Sequence, residues 1–140
     1  MLAKQHNPAF EALVESIRPQ VKECSVAEVV SQQQSGPTFY FVDVREDGEF
    51  NEDHATGAMH IGRGVLERDV ETLIPDKRAD IVLYCGGGYR SVLAADSLQK
   101  MGYTNVRSMA GGMRAWRESK LAISVPHHVS GTASLSDQQV

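Results

Sequence analysis

The sequence has few cysteines and no long apolar stretch, and each shortage excludes a class of protein. Only two of the 140 residues are cysteines, Cys24 and Cys85, which is too few for the disulfide framework of a small secreted domain. A chain of this length can bury a sufficient core without such support. No window approaches the roughly 20 apolar residues of a membrane-spanning helix, and no apolar segment follows the polar N-terminus as in a secretory signal. We therefore expect a cytoplasmic protein of one domain.

Metal ligands and excess positive charge are also missing. The five histidines show no spacing with the cysteines that resembles a zinc site. The net charge of −4 argues against general binding to nucleic acids or to anionic membranes. These features predict a protein with no metal, no nucleic-acid partner and no membrane contact.

The sequence does contain an alternation of strand-like and helix-like segments. Strands are predicted at Thr38 to Val44, Ala58 to Ile61, Ile81 to Tyr84 and Val106 to Met109. Helices are predicted at residues 26–33, 46–54, 66–74 and 92–101 and around Trp116. This alternation predicts an α/β fold with a central, mostly parallel sheet flanked by helices on both faces. Ligands of such folds bind at the carboxyl ends of the strands.

The stretch that carries chemistry follows the predicted strand Ile81 to Tyr84. It begins with Cys85 and continues with Gly86, Gly87, Gly88, Tyr89, Arg90 and Ser91. Three consecutive glycines carry an entropic cost, which packing of Cys85 as a small buried apolar residue would not justify. Unpaired amides at a helix start and a nearby cation such as Arg90 stabilise a thiolate. The pattern therefore predicts a cysteine nucleophile in an anion-binding loop.

The two ends of the chain are predicted to lie outside the main domain, which is assigned to residues 25–122. Residues 1–24 are predicted to form an amphipathic helical extension, with Asn7 as its cap and Pro19 as its interruption. This extension could pack on its own domain or mediate a dimer or partner contact. Residues 123–140 are predicted to be a flexible tail. The oligomeric state stays open.

Several motifs, in this order, carry a family resemblance. Asp43-Val44-Arg45-Glu46 follows the strongest predicted strand, and a buried pair of Asp43 with Arg45 is expected there. The further motifs are Glu49-Phe50, His54, Gly57-Ala58, His60-Ile61, Arg63-Gly64-Val65-Leu66-Glu67 and Gly111-Gly112-Met113-Arg114-Ala115-Trp116. Over residues 25–122 the chain thus resembles a single-domain rhodanese, a thiosulfate sulfurtransferase-like protein. It departs from the pattern where many relatives read His-Ile-Pro-Gly-Ala, because Ala55 and Thr56 stand at the second and third positions.

The resemblance implies a three-layer rhodanese-like domain that needs no metal or organic cofactor. It implies that Cys85 takes a sulfane sulfur from thiosulfate or a persulfide and passes it to a thiol or cyanide, with a sulfur-carrier protein as another partner. The amides of residues 86–91 would hold the Cys85 persulfide. Arg90 would both attract the anionic donor and brace the loop through side-chain hydrogen bonds. Tyr89 would shape donor access, and Ser91 would cap the helix rather than act as a general acid.

Other interpretations remain open at this point. Arg45 and Arg63 are weaker candidates for the entrance to the site, since each could equally be structural or solvated. A cysteine phosphatase or arsenate reductase also uses a Cys-Arg loop, but the spacing from Cys85 to Arg90 is a residue shorter than in such phosphatases. A noncatalytic binding or regulatory module with the same fold would be expected to lack the cysteine.

Overall fold

The computed structural model describes residues 6–126 of the chain. The α-helices of this region are α1 (Pro8–Ile17), α2 (Val26–Ser35), α3 (Asp47–Glu52), α4 (Leu66–Leu73), α5 (Arg90–Lys100) and α6 (Gly112–Glu118). The strands are β1 (Lys22–Cys24), β2 (Tyr40–Asp43), β3 (His54–Ala55), β4 (Met59–His60), β5 (Ile81–Tyr84), β6 (Val106–Met109) and β7 (Ile123–Ser124). A 3₁₀ turn, Arg18–Gln20, follows α1.

Five of the strands form one parallel sheet in the order β1-β6-β5-β2-β4. The predicted central parallel sheet is therefore confirmed. The strands β3 and β7 form a separate antiparallel pair. Because all five main strands run in the same direction, the segments that follow β2, β5 and β6 meet at one edge of the sheet.

The central strand β5 is buried on both faces, and this burial explains its unbroken apolar sequence. Ile81 and Leu83 pack in a cluster with residues of α1, α4 and α5. Val82 and Tyr84 point to the other face, where they pack with residues of α2 and α6. Helices thus cover both faces, as the sequence predicts.

The N-terminal helix α1 packs on its own domain. Pro8 occupies its first turn and Asn7 its N-cap position, although the Asn7 side chain makes no capping hydrogen bond. Val14 is fully buried against residues of α5, and Phe10 packs at the edge of the same cluster. The helix gives way to the 3₁₀ turn at Pro19, as expected for a residue that interrupts an α-helix.

Local features such as helix caps are predicted more accurately than the pairing of short strands. Ser25 and Glu28 form the predicted capping box of α2. Neither β1 nor the β3–β7 pair is predicted from the sequence, since these segments of two or three residues carry no periodicity. Ile123 and Ser124, which open the predicted flexible tail, pair with Ala55 and His54 instead. Residues 127–140 of that tail lie outside the described residues.

Candidate active site

Cys85 lies directly after β5, and four residues separate it from Arg90, where α5 begins. Three of those four residues are glycines, and they form a tight loop. Gly88 takes a left-handed conformation with φ of +91°, and a Cβ atom there would lie 3.0 Å from the Gly111 backbone nitrogen. A side chain would therefore strain this position in both conformation and space. The glycine at position 88 allows the loop to curl back over Cys85.

The Cys85 sulfur lies at the centre of this curl and is almost fully buried. The backbone amides of Gly88 and Ser91 each donate a hydrogen bond to Sγ, both at 3.3 Å. The Cys85 thiol in turn donates to the Ser91 hydroxyl oxygen at 3.4 Å. Two amides that converge on one sulfur provide positive partial charge where a thiolate would carry its negative charge.

Ser91 does not cap α5, so the predicted capping role is wrong. The helix begins at Arg90, and Tyr89 holds the N-cap position without a side-chain hydrogen bond. Ser91 therefore lies inside the first turn, where its side chain faces the core and reaches the Ser108 hydroxyl at 2.8 Å. Both serines are fully buried. Ser108 was not predicted, although a serine on the same face of β6 as Val106 is a sequence signal for a polar contact.

Arg90 forms a two-pronged ion pair with Glu49 of α3. The distances from Arg90 Nη1 and Nη2 to the two Glu49 carboxylate oxygens are 2.8 and 3.2 Å. This hydrogen bonding lowers the pKa of Glu49 from its ordinary 4.5 to about 2 and raises the pKa of Arg90. A Cβ atom on Gly86 would lie 3.0 Å from Arg90 Nη2, so the guanidinium also rests against the loop. These contacts favour the bracing role of Arg90.

Sequence reasoning did not assign Glu49 a role in the site. The residue stands in the motif Glu49-Phe50, and its side chain also accepts a hydrogen bond from the Glu46 amide at the start of α3. This capping contact orients the Glu49 carboxylate, and the capping-box motif that produces it can be recognised in the sequence. Its second partner, Arg90, is far away in sequence and was therefore not foreseen.

The first turn of α6 donates hydrogen bonds to two carbonyl oxygens of the cysteine loop. The amide of Met113 donates to the Cys85 carbonyl oxygen at 2.7 Å, and the amide of Arg114 donates to that of Gly86 at 3.0 Å. Gly112 has φ of +52°, and a Cβ atom there would lie 2.2 Å from the Cys85 carbonyl oxygen. The Gly111-Gly112 motif thus permits the start of α6 to approach the cysteine loop.

A cavity of about 650 Å³ opens onto the loop. Its lining residues come from the loop, from α1 and the segment just before it, and from the starts of α3, α5 and α6. They are His6, Phe10, Glu49, Cys85, Gly86, Gly87, Tyr89, Arg90 and Arg114. Every predicted loop residue except Gly88 and Ser91 therefore faces this cavity, while those two direct their amides at the sulfur.

Comparison with known proteins agrees with this arrangement of loop and sheet. The family model of the rhodanese-like domain matches residues 25–119, the stretch from the cap of α2 to the end of α6. The chain belongs to the rhodanese-like domain family. The resemblance drawn from the sequence motifs is therefore confirmed.

Relatives of this rhodanese-like protein include bacterial and human proteins. YtwF of Bacillus subtilis (strain 168) is 35% identical over 97 residues, which cover 69% of this chain and 91% of YtwF. The thiosulfate sulfurtransferase PspE of Escherichia coli (strain K12) is 33% identical over 75 residues, which cover 54% of this chain and 71% of PspE. The structure of the human single-domain sulfurtransferase TSTD1 matches with a TM-score of 0.64 at 27% identity, covering 70% of this chain and 96% of TSTD1.

Two arginines of the rhodanese-like domain that were weaker candidates for the entrance do not line the cavity. Arg45 is buried and forms the expected pair with Asp43, with 2.9 Å between Nη2 and Oδ2. Arg63 pairs with Glu67 at 3.0 Å. Arg45 therefore serves the fold, because its charge is compensated inside the core.

The described part of the chain gives two further findings. Within residues 6–126, no cluster of three or more His, Cys, Asp or Glu side chains could hold a metal ion. In the same range, none of the helices has the length and apolar character needed to cross a membrane.

Proposed function

We propose that this protein is a sulfurtransferase in which Cys85 carries the transferred sulfur as a persulfide. The observation that carries the proposal is the convergence of the Gly88 and Ser91 amides on Cys85 Sγ. Membership of the rhodanese-like family supports it, as does the name of the relative PspE, a thiosulfate sulfurtransferase. The donor is a small anion such as thiosulfate or a persulfide, and the acceptor is a thiol or cyanide.

The reaction proceeds in two displacements at sulfur. In the first, the Cys85 thiolate attacks the outer sulfur of the donor, the donor S–S bond breaks, and sulfite leaves with the electron pair when thiosulfate is the donor. In the second, the acceptor attacks the outer sulfur of the persulfide and Cys85 leaves as a thiolate. Both steps place negative charge on sulfur within the loop, where amide donors stabilise it.

The loop amides and Arg90 have distinct roles in this mechanism. The amides of residues 86–91 surround the added sulfur, with those of Gly88 and Ser91 already directed at Sγ. Arg90 holds the loop through Glu49, so its charge is partly compensated before a donor arrives. Tyr89 lines the cavity and limits the approach of the donor.

The test is sulfur loading followed by mass spectrometry of the intact protein. After incubation with thiosulfate, the wild-type protein should gain the mass of one sulfur atom, and cyanide should then remove that mass as thiocyanate. Cys85→Ser should lose the adduct and at least about a thousandfold of the transfer rate. Cys24→Ser is the matched control and should keep both.

Three results would overturn the proposal. Unchanged transfer by Cys85→Ser would remove Cys85 from the mechanism. Hydrolysis of an aryl phosphate without any sulfur loading would favour a cysteine phosphatase, despite the short spacing from Cys85 to Arg90. A folded wild-type protein that does neither would favour a noncatalytic module.

A further inference from the structure

The cavity above Cys85 is larger than an inorganic donor requires. Its volume of about 650 Å³ lies within the range of pockets that hold drug-sized organic ligands, roughly 300 to 1,000 Å³. Thiosulfate would leave most of this space to water. The excess volume indicates a ligand with more than the reacting sulfur atoms.

One wall of the cavity is aromatic and comes partly from outside the matched family region, residues 25–119. The ring centroids of His6 and Tyr89 are 4.1 Å apart, and those of Phe10 and Tyr89 are 5.9 Å apart. Val14, on the same helix as Phe10, is fully buried and fixes α1 against the domain. The aromatic wall formed by His6, Phe10 and Tyr89 is therefore a built part of the site.

The remaining wall residues set the charge that a ligand meets. Glu49 and Arg90 compensate each other through their ion pair. The side chain of Arg114 is 51% exposed, and its Nη1 lies 3.7 Å from Glu118 Oε2, a long contact that holds the guanidinium weakly. The cavity thus combines an available cation with an aromatic surface that a small hydrated anion cannot use.

We infer that the N-terminal helix α1 makes the Cys85 site selective for organic sulfur donors. Such a donor carries an anionic terminal sulfur, which enters the Cys85 loop, and an apolar group, which packs on Phe10 and Tyr89. The inference rests on the proposed function and adds the substrate class. Phe10 and His6 are specificity-determining residues that act on the apolar group and not on the reacting sulfur.

The reaction of such a donor balances in atoms and charge. With a thiosulfonate, R–SO₂–S⁻, the Cys85 thiolate attacks the outer sulfur and forms a new S–S bond. The bond between the two sulfur atoms of the donor breaks, and its electron pair leaves with the sulfinate, R–SO₂⁻. The Cys85 persulfide anion remains. The group R takes no part in this exchange, so it can change binding without changing the chemistry.

Benzenethiosulfonate and methanethiosulfonate test the inference, because they share the charge and the reacting bond and differ in R. The measured quantity is the ratio of their kcat/KM values with cyanide as acceptor. Phe10→Ala should lower the preference for the phenyl donor roughly fivefold, as expected for loss of an aromatic contact. Leu13→Ala, an exposed position on the same helix, should leave the ratio unchanged.

The possible outcomes separate this inference from the proposed function. His6→Ala provides a second variant if Phe10→Ala does not fold, because His6 precedes α1, and it should also lower the ratio. Sulfur transfer with a ratio that neither variant changes would overturn the inference and leave the proposed function intact. Failure of thiosulfate and of both thiosulfonates to load Cys85 would overturn both.

Discussion

The two cysteines of the described region share a position in the fold but differ in the surroundings of their sulfur atoms. Cys24 ends β1 and Cys85 follows β5, and β6 lies between these strands. Both carbonyl oxygens accept a hydrogen bond from the chain that follows β6. The Cys24 carbonyl accepts from the Ala110 amide, directly after the strand, at 2.8 Å, and the Cys85 carbonyl accepts from the Met113 amide, in the first turn of α6, at 2.7 Å. The backbones of the two residues are thus held in the same way.

The sulfur atoms differ in their hydrogen bonds. Burial raises the pKa of the Cys24 thiol to about 11, and no hydrogen bond to its sulfur is present among residues 6–126. The Cys85 sulfur is buried as deeply, but two amides point at it and it borders the cavity. Burial alone disfavours a thiolate, so the curled glycine loop is what distinguishes a candidate nucleophile from a core cysteine.

Substitution of Gly112 should disturb the Cys85 loop more than any other change proposed for it. Gly112→Ala would push a Cβ atom against the Cys85 carbonyl oxygen at a position with positive φ. We expect a loss of stability on the order of 3 kcal/mol, measured by denaturant unfolding, together with loss of sulfur loading. At Cys24 the tether is donated by Ala110, and the residue before this donor is Met109, whereas Gly112 precedes the Met113 donor at Cys85. The glycine next to the donor is therefore specific to the Cys85 side.

Gly64→Ala is the control for that variant, because a Cβ atom at Gly64 would meet nothing within 4 Å. It should change stability far less than Gly112→Ala. Equal effects of the two substitutions would mean that the close approach of Gly112 to Cys85 contributes nothing specific.

Brief alkylation of the native protein with iodoacetamide measures the difference in reactivity between the two cysteines. Cys85 should react at least about a hundredfold faster than Cys24, since the thiolate is the reactive form and burial keeps Cys24 as a thiol. Peptide mapping by mass spectrometry measures both sites in one sample. In denaturant the two rates should become similar. Equal labelling of both cysteines in the native protein would mean that the loop amides do not make Cys85 more reactive than Cys24.

Much of this distinction could be read from the sequence, because it depends on neighbouring residues. Gly86 to Gly88 follow Cys85 directly, and the flanking strand and helix are strongly patterned. The sequence could not reveal which amides point at the sulfur, because that depends on the path of the loop. It could also not reveal that Cys24 ends a strand, because β1 is a short edge strand whose partner, β6, lies far away in the chain.

Contacts between distant segments likewise limit how much of the candidate site can be predicted from the sequence. Glu49 and Ser108 were not predicted to contact the loop, because their partners Arg90 and Ser91 lie in the helix α5, far away in the chain. The aromatic contacts of His6 and Phe10 with Tyr89 were unforeseen for the same reason. Sequence patterns predicted α1 as an amphipathic helix, but only tertiary packing brings its aromatic residues to the cavity.

The ion pair between Glu49 and Arg90, which braces the Cys85 loop, should make only a small contribution to the free energy of unfolding. Glu49 has a pKa of about 2 in the folded protein and an ordinary value of 4.5, so its ionised form favours folding above about pH 4.5. That contribution is lost as the pH falls from 4.5 towards 2. Because the Glu49 side chain is 40% exposed, solvent screening limits its contribution to about 1 kcal/mol.

Glu49→Gln should therefore be less stable than the wild-type protein by about 1 kcal/mol at neutral pH, and the difference should vanish near pH 2. Denaturant unfolding at a series of pH values measures this difference, and the other carboxyl groups cancel in the comparison. Arg90→Ala should remove the same pH-dependent contribution, because the Glu49 carboxylate then loses its partner. The double variant should add little to either single one. Additive losses would mean that Arg90 stabilises the loop independently of Glu49, and the bracing role would then need another partner.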